Sequence, residues 1–100
     1  MSVDDGDAAA TVGVEKVAGG PVLIDVRSTE EYDDDHLDDS VHIPHEEIAD
    51  RIASVVDDKD REIIVFCAAG ARAEKAKTAL ESLGYTNVRN AGGIDDVRGE

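Results

Sequence analysis

Apolar residues in this chain fall into short runs separated by amphipathic stretches. Val22-Leu23-Ile24-Asp25-Val26, entered from Pro21, is a β-branched run of the kind a strand buried on both faces requires. Val41-His42-Ile43, stopped by Pro44, predicts a second short strand. Ile63-Ile64-Val65-Phe66 is the most hydrophobic run and predicts the central strand, with Cys67 at its carboxyl edge. Asn87-Val88-Arg89 predicts a last strand ahead of Gly92-Gly93. Thr11-Val12 predicts a marginal first one, followed by a turn or two of helix over residues 14–18 that Gly19-Gly20 closes. Between the strands the period changes from two to about 3.6. Ser28-Thr29-Glu30-Glu31 reads as a capping box, the Ser28 hydroxyl on an orphan N–H and Glu31 reaching back, so a helix starts near Thr29. Ile48, Ile52, Val55 and Val56 form one apolar face of a helix that begins at Glu46 and ends in the polar turn Asp57-Asp58-Lys59-Asp60. Ala73, Ala76, Leu80 and Leu83 form another such face, with Gly84 as its left-handed stop. Strands alternating with helices in this way predict an α/β layer fold with a mainly parallel sheet, and such sheets bind ligands beyond the carboxyl ends of their strands. Cys67 lies at that edge.

One hundred residues make one small domain. The expected organisation is an acidic flexible tail over residues 1–10 and a folded domain over residues 11–100. No apolar run approaches the roughly 18 to 20 residues of a membrane span. The opening MSVDDGDAAA has neither the basic start nor the apolar stretch of a secretory signal, so the cytoplasm is the expected compartment. Charge narrows the partners further. Ten basic against 24 acidic residues give −14, a field that repels nucleic acid and anionic membrane surfaces, and neither is an expected partner. Fifteen Asp against four Lys is a bias that resembles proteins of salt-loving organisms. The charge is also uneven: residues 30–39 carry seven acids and no Lys or Arg, whereas residues 67–94 carry Arg72, Lys75, Lys77 and Arg89 against Glu74 and Glu81. The surroundings of the single cysteine are locally basic in an acidic chain.

Cys67-Ala68-Ala69-Gly70-Ala71-Arg72-Ala73 joins the central strand to a helix N-terminus, and apart from Arg72 every residue after the cysteine is small. Small side chains let the backbone curl so that successive N–H groups converge on whatever is attached to Cys67. The helix adds its orphan N–H groups and about half a positive charge. Such a cradle favours the thiolate, and Arg72 adds a fork of donors for an anionic substrate. A lone cysteine makes no internal disulfide, so the alternative for Cys67 is an inert buried residue.

LIDVRSTEEY, then His36, then HIP, then FCAAGARAEKA, then LGYTNVRNAGG occur in the order of the single-domain rhodaneses, the sulfurtransferase family, which this chain resembles over about residues 20 to 97. The resemblance implies a single rhodanese-like domain with a mainly parallel five-stranded sheet flanked by helices on both faces. It implies that Cys67 is the persulfide-forming nucleophile and that Ala68, Ala69, Gly70, Ala71, Arg72 and Ala73 form the substrate-cradling loop. Asp25 and Arg27 fall on the family's Asp-x-Arg signature, with an expected role of bracing the site rather than reacting. The partners implied are thiosulfate or another sulfane-sulfur donor and a thiol or cyanide acceptor, with a sulfur-accepting protein as the alternative recipient. No metal or organic cofactor is implied. The chain departs from the family at Asp35 and Asp39, where Gly is common, at Val97, where an aromatic often sits, and at Ala73, where a hydroxyl residue often closes the loop.

Four competing chemistries are weaker. His42-x-x-His45 with His36 nearby suggests a metal, but Pro44 prevents a regular helix from presenting the pair and no second cysteine completes a zinc set. The acidic run Asp33-Asp34-Asp35 lacks the ligand spacing and central Gly of a calcium loop. No Gly-x-Gly-x-x-Gly or Gly-Lys-Ser element offers a nucleotide seat. A cysteine-dependent phosphatase or arsenate reductase would use a related anion loop, yet cysteine phosphatases place Arg six positions after Cys, and here the interval is five.

The charge makes a prediction of its own. Self-repulsion of −14 charges opposes the compact state, and salt shortens the Debye length from about 30 Å at 0.01 M to about 3 Å at 1 M. Melting temperature, followed from dilute buffer to molar potassium chloride, should therefore rise at first, and a flat profile would contradict the halophilic reading.

Overall fold

The computed structural model describes residues 20–98. The strands are β1 (Val22–Asp25), β2 (Val41–His42), β3 (Ile63–Cys67) and β4 (Val88–Gly93), and the helices are α1 (Thr29–Asp34), α2 (Ile48–Arg51), α3 (Ala71–Ser82) and α4 (Ile94–Arg98). All strand pairs are parallel and the sheet order is β2-β1-β3-β4. This is the α/β layer fold with a parallel sheet that the alternation predicts. The expected strand at Thr11-Val12, the helix over residues 14–18 and the tail over residues 1–10 lie outside the described residues.

The order of the strands places the site. From β1 the chain crosses to β2 on one side, whereas β3 lies on the other side of β1, so the connections diverge between β1 and β3. The loops leaving the carboxyl ends of these two strands therefore sit side by side at a topological switch point. Pairing of Asp25 with Phe66 puts Arg27, Ser28 and Glu31 of the first loop and helix next to the loop that follows Cys67.

All five residues of β3 are buried, as a strand covered on both faces demands. Ile63, Val65 and Cys67 share one face with Ala73, Ala76 and Leu80 of α3 and with Ile48, Ile52 and Val56. Ile64 and Phe66 alternate to the other face. Each fully buried Ile, Leu or Phe contributes about 1.5 to 3 kcal/mol relative to exposure, and this core is what holds the strand ends in register.

The structure differs from the sequence pattern in three places. The helix expected over residues 46–56 is broken into a 3-10 turn (His45–Glu47), the single α-turn of α2 and a second 3-10 turn (Ile52–Ser54). No side chain caps any of these segments, and the ends tighten instead, with Glu47 N–H donating to Pro44 O at 2.8 Å and Val55 N–H to Ile52 O at 2.9 Å. Leu83 is exposed rather than in the apolar face. Helix α3 stops at Ser82, Gly84 takes a φ of 98°, and the turn sends Tyr85 into the core in its place, where its hydroxyl donates to Val56 O. The last strand runs on to Gly93 and leads directly into α4, which the pattern did not suggest because Asn90-Ala91-Gly92-Gly93 carries no alternation.

Candidate active site

Cys67 ends β3 and is 1% exposed. The chain then bends through Ala68, Ala69 and Gly70 into α3, and the bend turns its N–H groups toward the sulfur. Gly70 N–H donates to Cys67 Sγ at 2.9 Å and Ala73 N–H at 3.4 Å. Gly70 serves as the N-cap of α3 without a side chain, so the first N–H groups of the helix are left for the sulfur rather than consumed by a cap. Its φ of 107° lies where only glycine sits without strain. Burial pushes the Cys67 thiol up, but the N–H groups of Ala73, Ala69, Gly70 and Arg72 together outweigh it and hold the thiol below its ordinary value. Ala73 is itself fully buried, so the position where a hydroxyl is common in similar loops contributes an amide here and no oxygen.

The floor of the loop is built from glycine. A Cβ on Gly93 would stand 2.4 Å from Ala68 O, and one on Gly92 would stand 2.7 Å from Asp96 Oδ2. Asp96 in turn accepts from Gly93 N–H at 2.8 Å. Asn90 ties this floor to the loop: its Nδ2 donates to Gly70 O at 3.1 Å and to Glu74 Oε1 at 3.0 Å, while its Oδ1 accepts from Gly92 N–H at 2.8 Å. Neither Asn90 nor Asp96 stood out in the sequence, since an asparagine and an aspartate near a glycine pair are unremarkable until the chain returns beside the loop.

The wall of the site comes from the β1–α1 connection. Asp25 and Arg27 form a buried ion pair, with Arg27 Nη2 to Asp25 Oδ2 at 2.8 Å and Nε to Oδ1 at 3.0 Å. Arg27 Nη2 also reaches Asp35 O. The hydrogen bonds to Asp25 raise the Arg27 guanidinium above its ordinary value despite burial. The Ser28–Glu31 capping box is present as expected, Glu31 N–H donating to Ser28 Oγ at 3.2 Å and Ser28 N–H to Glu31 Oε1 at 3.0 Å. Glu31 also does something the capping box does not announce. It accepts Arg72 Nη1 on Oε1 at 2.6 Å and Arg72 Nη2 on Oε2 at 3.0 Å, so the fork of Arg72 is closed on a carboxylate. The Arg72 guanidinium draws the Glu31 carboxyl down to about 2, helped by Ser28, so the carboxylate is charged at neutral pH. Arg72 is raised above its ordinary value, first by these hydrogen bonds and more weakly by the neighbouring Cys67.

The three histidines are placed otherwise. The Tyr32 ring stacks on His36 at 3.9 Å and on His42 at 4.3 Å between centroids. His36 Nδ1 lies 2.7 Å from Tyr32 O and His42 Nε2 lies 2.9 Å from Arg27 O. Among the described residues no group of three or more His, Cys, Asp or Glu is gathered for a metal ion.

A parallel sheet with a lone, amide-cradled cysteine at the end of a central strand defines a class of α/β domains that handle anions or sulfur on a cysteine. The comparisons with known proteins decide within that class. The chain matches the rhodanese-like domain over residues 10–100 and belongs to that family. Thiosulfate sulfurtransferase PspE of Escherichia coli (strain K12) is 43% identical over 74 residues, covering 74% of this chain and 71% of that protein. Thiosulfate sulfurtransferase GlpE of Pseudomonas savastanoi pv. phaseolicola is 35% identical, covering 74% of this chain and 68% of the relative. The solved rhodanese with anions from E. coli superposes with a TM-score of 0.74 at 42% identity, over 77% of this chain and 91% of that one. A tRNA uridine(34) hydroxylase of Erwinia tasmaniensis is also similar, at 37% identity, but this chain covers only 22% of its length.

The cradle predicts the pH dependence of the thiol. Because the N–H donors stabilise the thiolate, the rate of iodoacetamide alkylation at Cys67 should rise with pH around a midpoint below that of the same cysteine in denaturant. A midpoint equal to or above the denatured value would mean that burial, not the amides, controls the sulfur.

Proposed function

We propose that the protein is a sulfurtransferase that carries sulfane sulfur on Cys67. The Cys67 thiolate attacks the outer sulfur of thiosulfate, the S–S bond of the donor breaks, and sulfite leaves with its electron pair. The product is a Cys67 persulfide whose terminal sulfur is anionic and lies among the N–H groups that held the thiolate. A thiophile such as cyanide then attacks that terminal sulfur and departs as thiocyanate, returning the thiolate. No external oxidant or reductant enters either step.

The observation that carries this reading is the pair of amides, from Gly70 and Ala73, aimed at the buried sulfur of Cys67. Such donors act as a preorganised anion hole for the thiolate, the departing charge and the persulfide in turn. The name thiosulfate sulfurtransferase carried by two relatives supports thiosulfate as donor. On this reading Asp25 and Arg27 support the site without reacting, because each spends its charge on the other at nearly complete burial. A thiol of a partner protein fits as acceptor, since Ala68 and Ala69 at the rim are exposed and present only methyl groups to an approaching surface.

Incubation with thiosulfate should add one sulfur atom to the intact mass, removable by cyanide with release of thiocyanate, and Cys67→Ser should abolish both while leaving the melting temperature within a few degrees. Wild-type thiocyanate production by Cys67→Ser would refute the assignment.

A further inference from the structure

The Arg72 guanidinium carries five N–H donors, and the two that point outward from Nη1 and Nη2 form one of the two edges with which arginine grips two oxygens at once, the other being the Nε and Nη edge that Arg27 uses on Asp25. Here that edge is not free. Glu31 Oε1 and Oε2 hold Nη1 and Nη2 at 2.6 and 3.0 Å, and Glu31 is itself fixed by Ser28 N–H and Ser28 Oγ, each at 3.0 Å from Oε1. The two charges also cancel at the mouth of the loop.

We propose that Glu31 sets the anion specificity of the site: by closing the end-on fork of Arg72 and cancelling its charge it weakens the hold on the oxygens of any tetrahedral oxyanion, thiosulfate included, so that an anion is held best when it also offers a sulfur to the amide cradle, which phosphate does not. Glu31 is thus a positioning residue that acts through Arg72. The inference rests on the sulfur-transfer reading for its biological sense, but its test does not use sulfur transfer.

Glu31→Gln is the informative variant, because glutamine still completes a capping box with Ser28 and removes only the charge and one of the two acceptors offered to Arg72. The readout is protection of Cys67 from iodoacetamide by inorganic phosphate. Wild-type protein should be protected weakly, and Glu31→Gln should bind phosphate on the order of tenfold more tightly, the scale of one freed charge-assisted contact. In the Glu31→Gln/Arg72→Ala double variant the gain should disappear. Unchanged phosphate protection in folded Glu31→Gln would overturn the proposal. So would a gain that survives in the double variant, since it would then report only the loss of a negative charge. Should Glu31→Gln fail to fold, Glu31→Asp, one methylene too short for both contacts, should shift phosphate affinity the same way by a smaller factor, and no shift there would count equally against it. Failure of sulfur transfer with phosphate behaviour as described would instead condemn the proposed function and spare this one.

Discussion

The structure turns on the convergence of backbone N–H groups on one buried sulfur. Cys67 is 1% exposed, and a charged thiolate at such a depth is tolerable only if its lost hydration is replaced by fixed donors. Gly70 and Ala73 supply the shortest of these, and every surrounding feature serves to keep them in place. The five buried residues of β3 deliver the cysteine to the sheet edge, and the left-handed Gly70 begins the helix without a side-chain cap. Gly92 and Gly93 leave room below the bend, and Asn90 fastens Gly70 O so that the bend does not open.

This arrangement explains how a chain of net charge −14 can present an anion-friendly site. The stabilisation comes from peptide dipoles at contact distance, where neither salt nor the general acidic field reaches effectively. Arginine contributes less free charge than its position suggests, because Glu31 neutralises Arg72 and Asp25 neutralises Arg27. Both pairs join the β1–α1 connection to its surroundings, one inside its own turn and the other across to the loop after β3. Removing one partner of the buried Asp25–Arg27 pair would strand a charge at a cost of about 3 to 5 kcal/mol, which makes the pair a brace that tolerates little change.

Much of this was legible in the residues because it is local. The β-branched runs, the Ser28–Glu31 box and the Gly84 stop act through neighbours in sequence, and the position of Cys67 at a strand end follows from the run that precedes it. What escaped is what the chain makes only by returning on itself. Glu31 and Arg72 are 41 residues apart and Asn90 and Gly70 are 20 apart, and nothing in either local pattern marks the meeting. The apolar spacing over residues 46–56 named the buried positions Ile48, Ile52 and Val56 but not the helix type, since uncapped ends tightened into 3-10 turns. Leu83 matched the period of α3 yet lost its place to Tyr85, because a left-handed glycine redirects the chain in a way periodicity does not register.

In the proposed sulfur transfer the same amides hold first the thiolate and then the persulfide. Amide resonances followed in proton–nitrogen correlation spectra while thiosulfate and then cyanide are added test it directly. The N–H signals of Ala69, Gly70, Arg72 and Ala73 should move on persulfide formation and return on its discharge, with those of β1 and β2 nearly still. Persulfide formation that leaves the loop amides unmoved would contradict it.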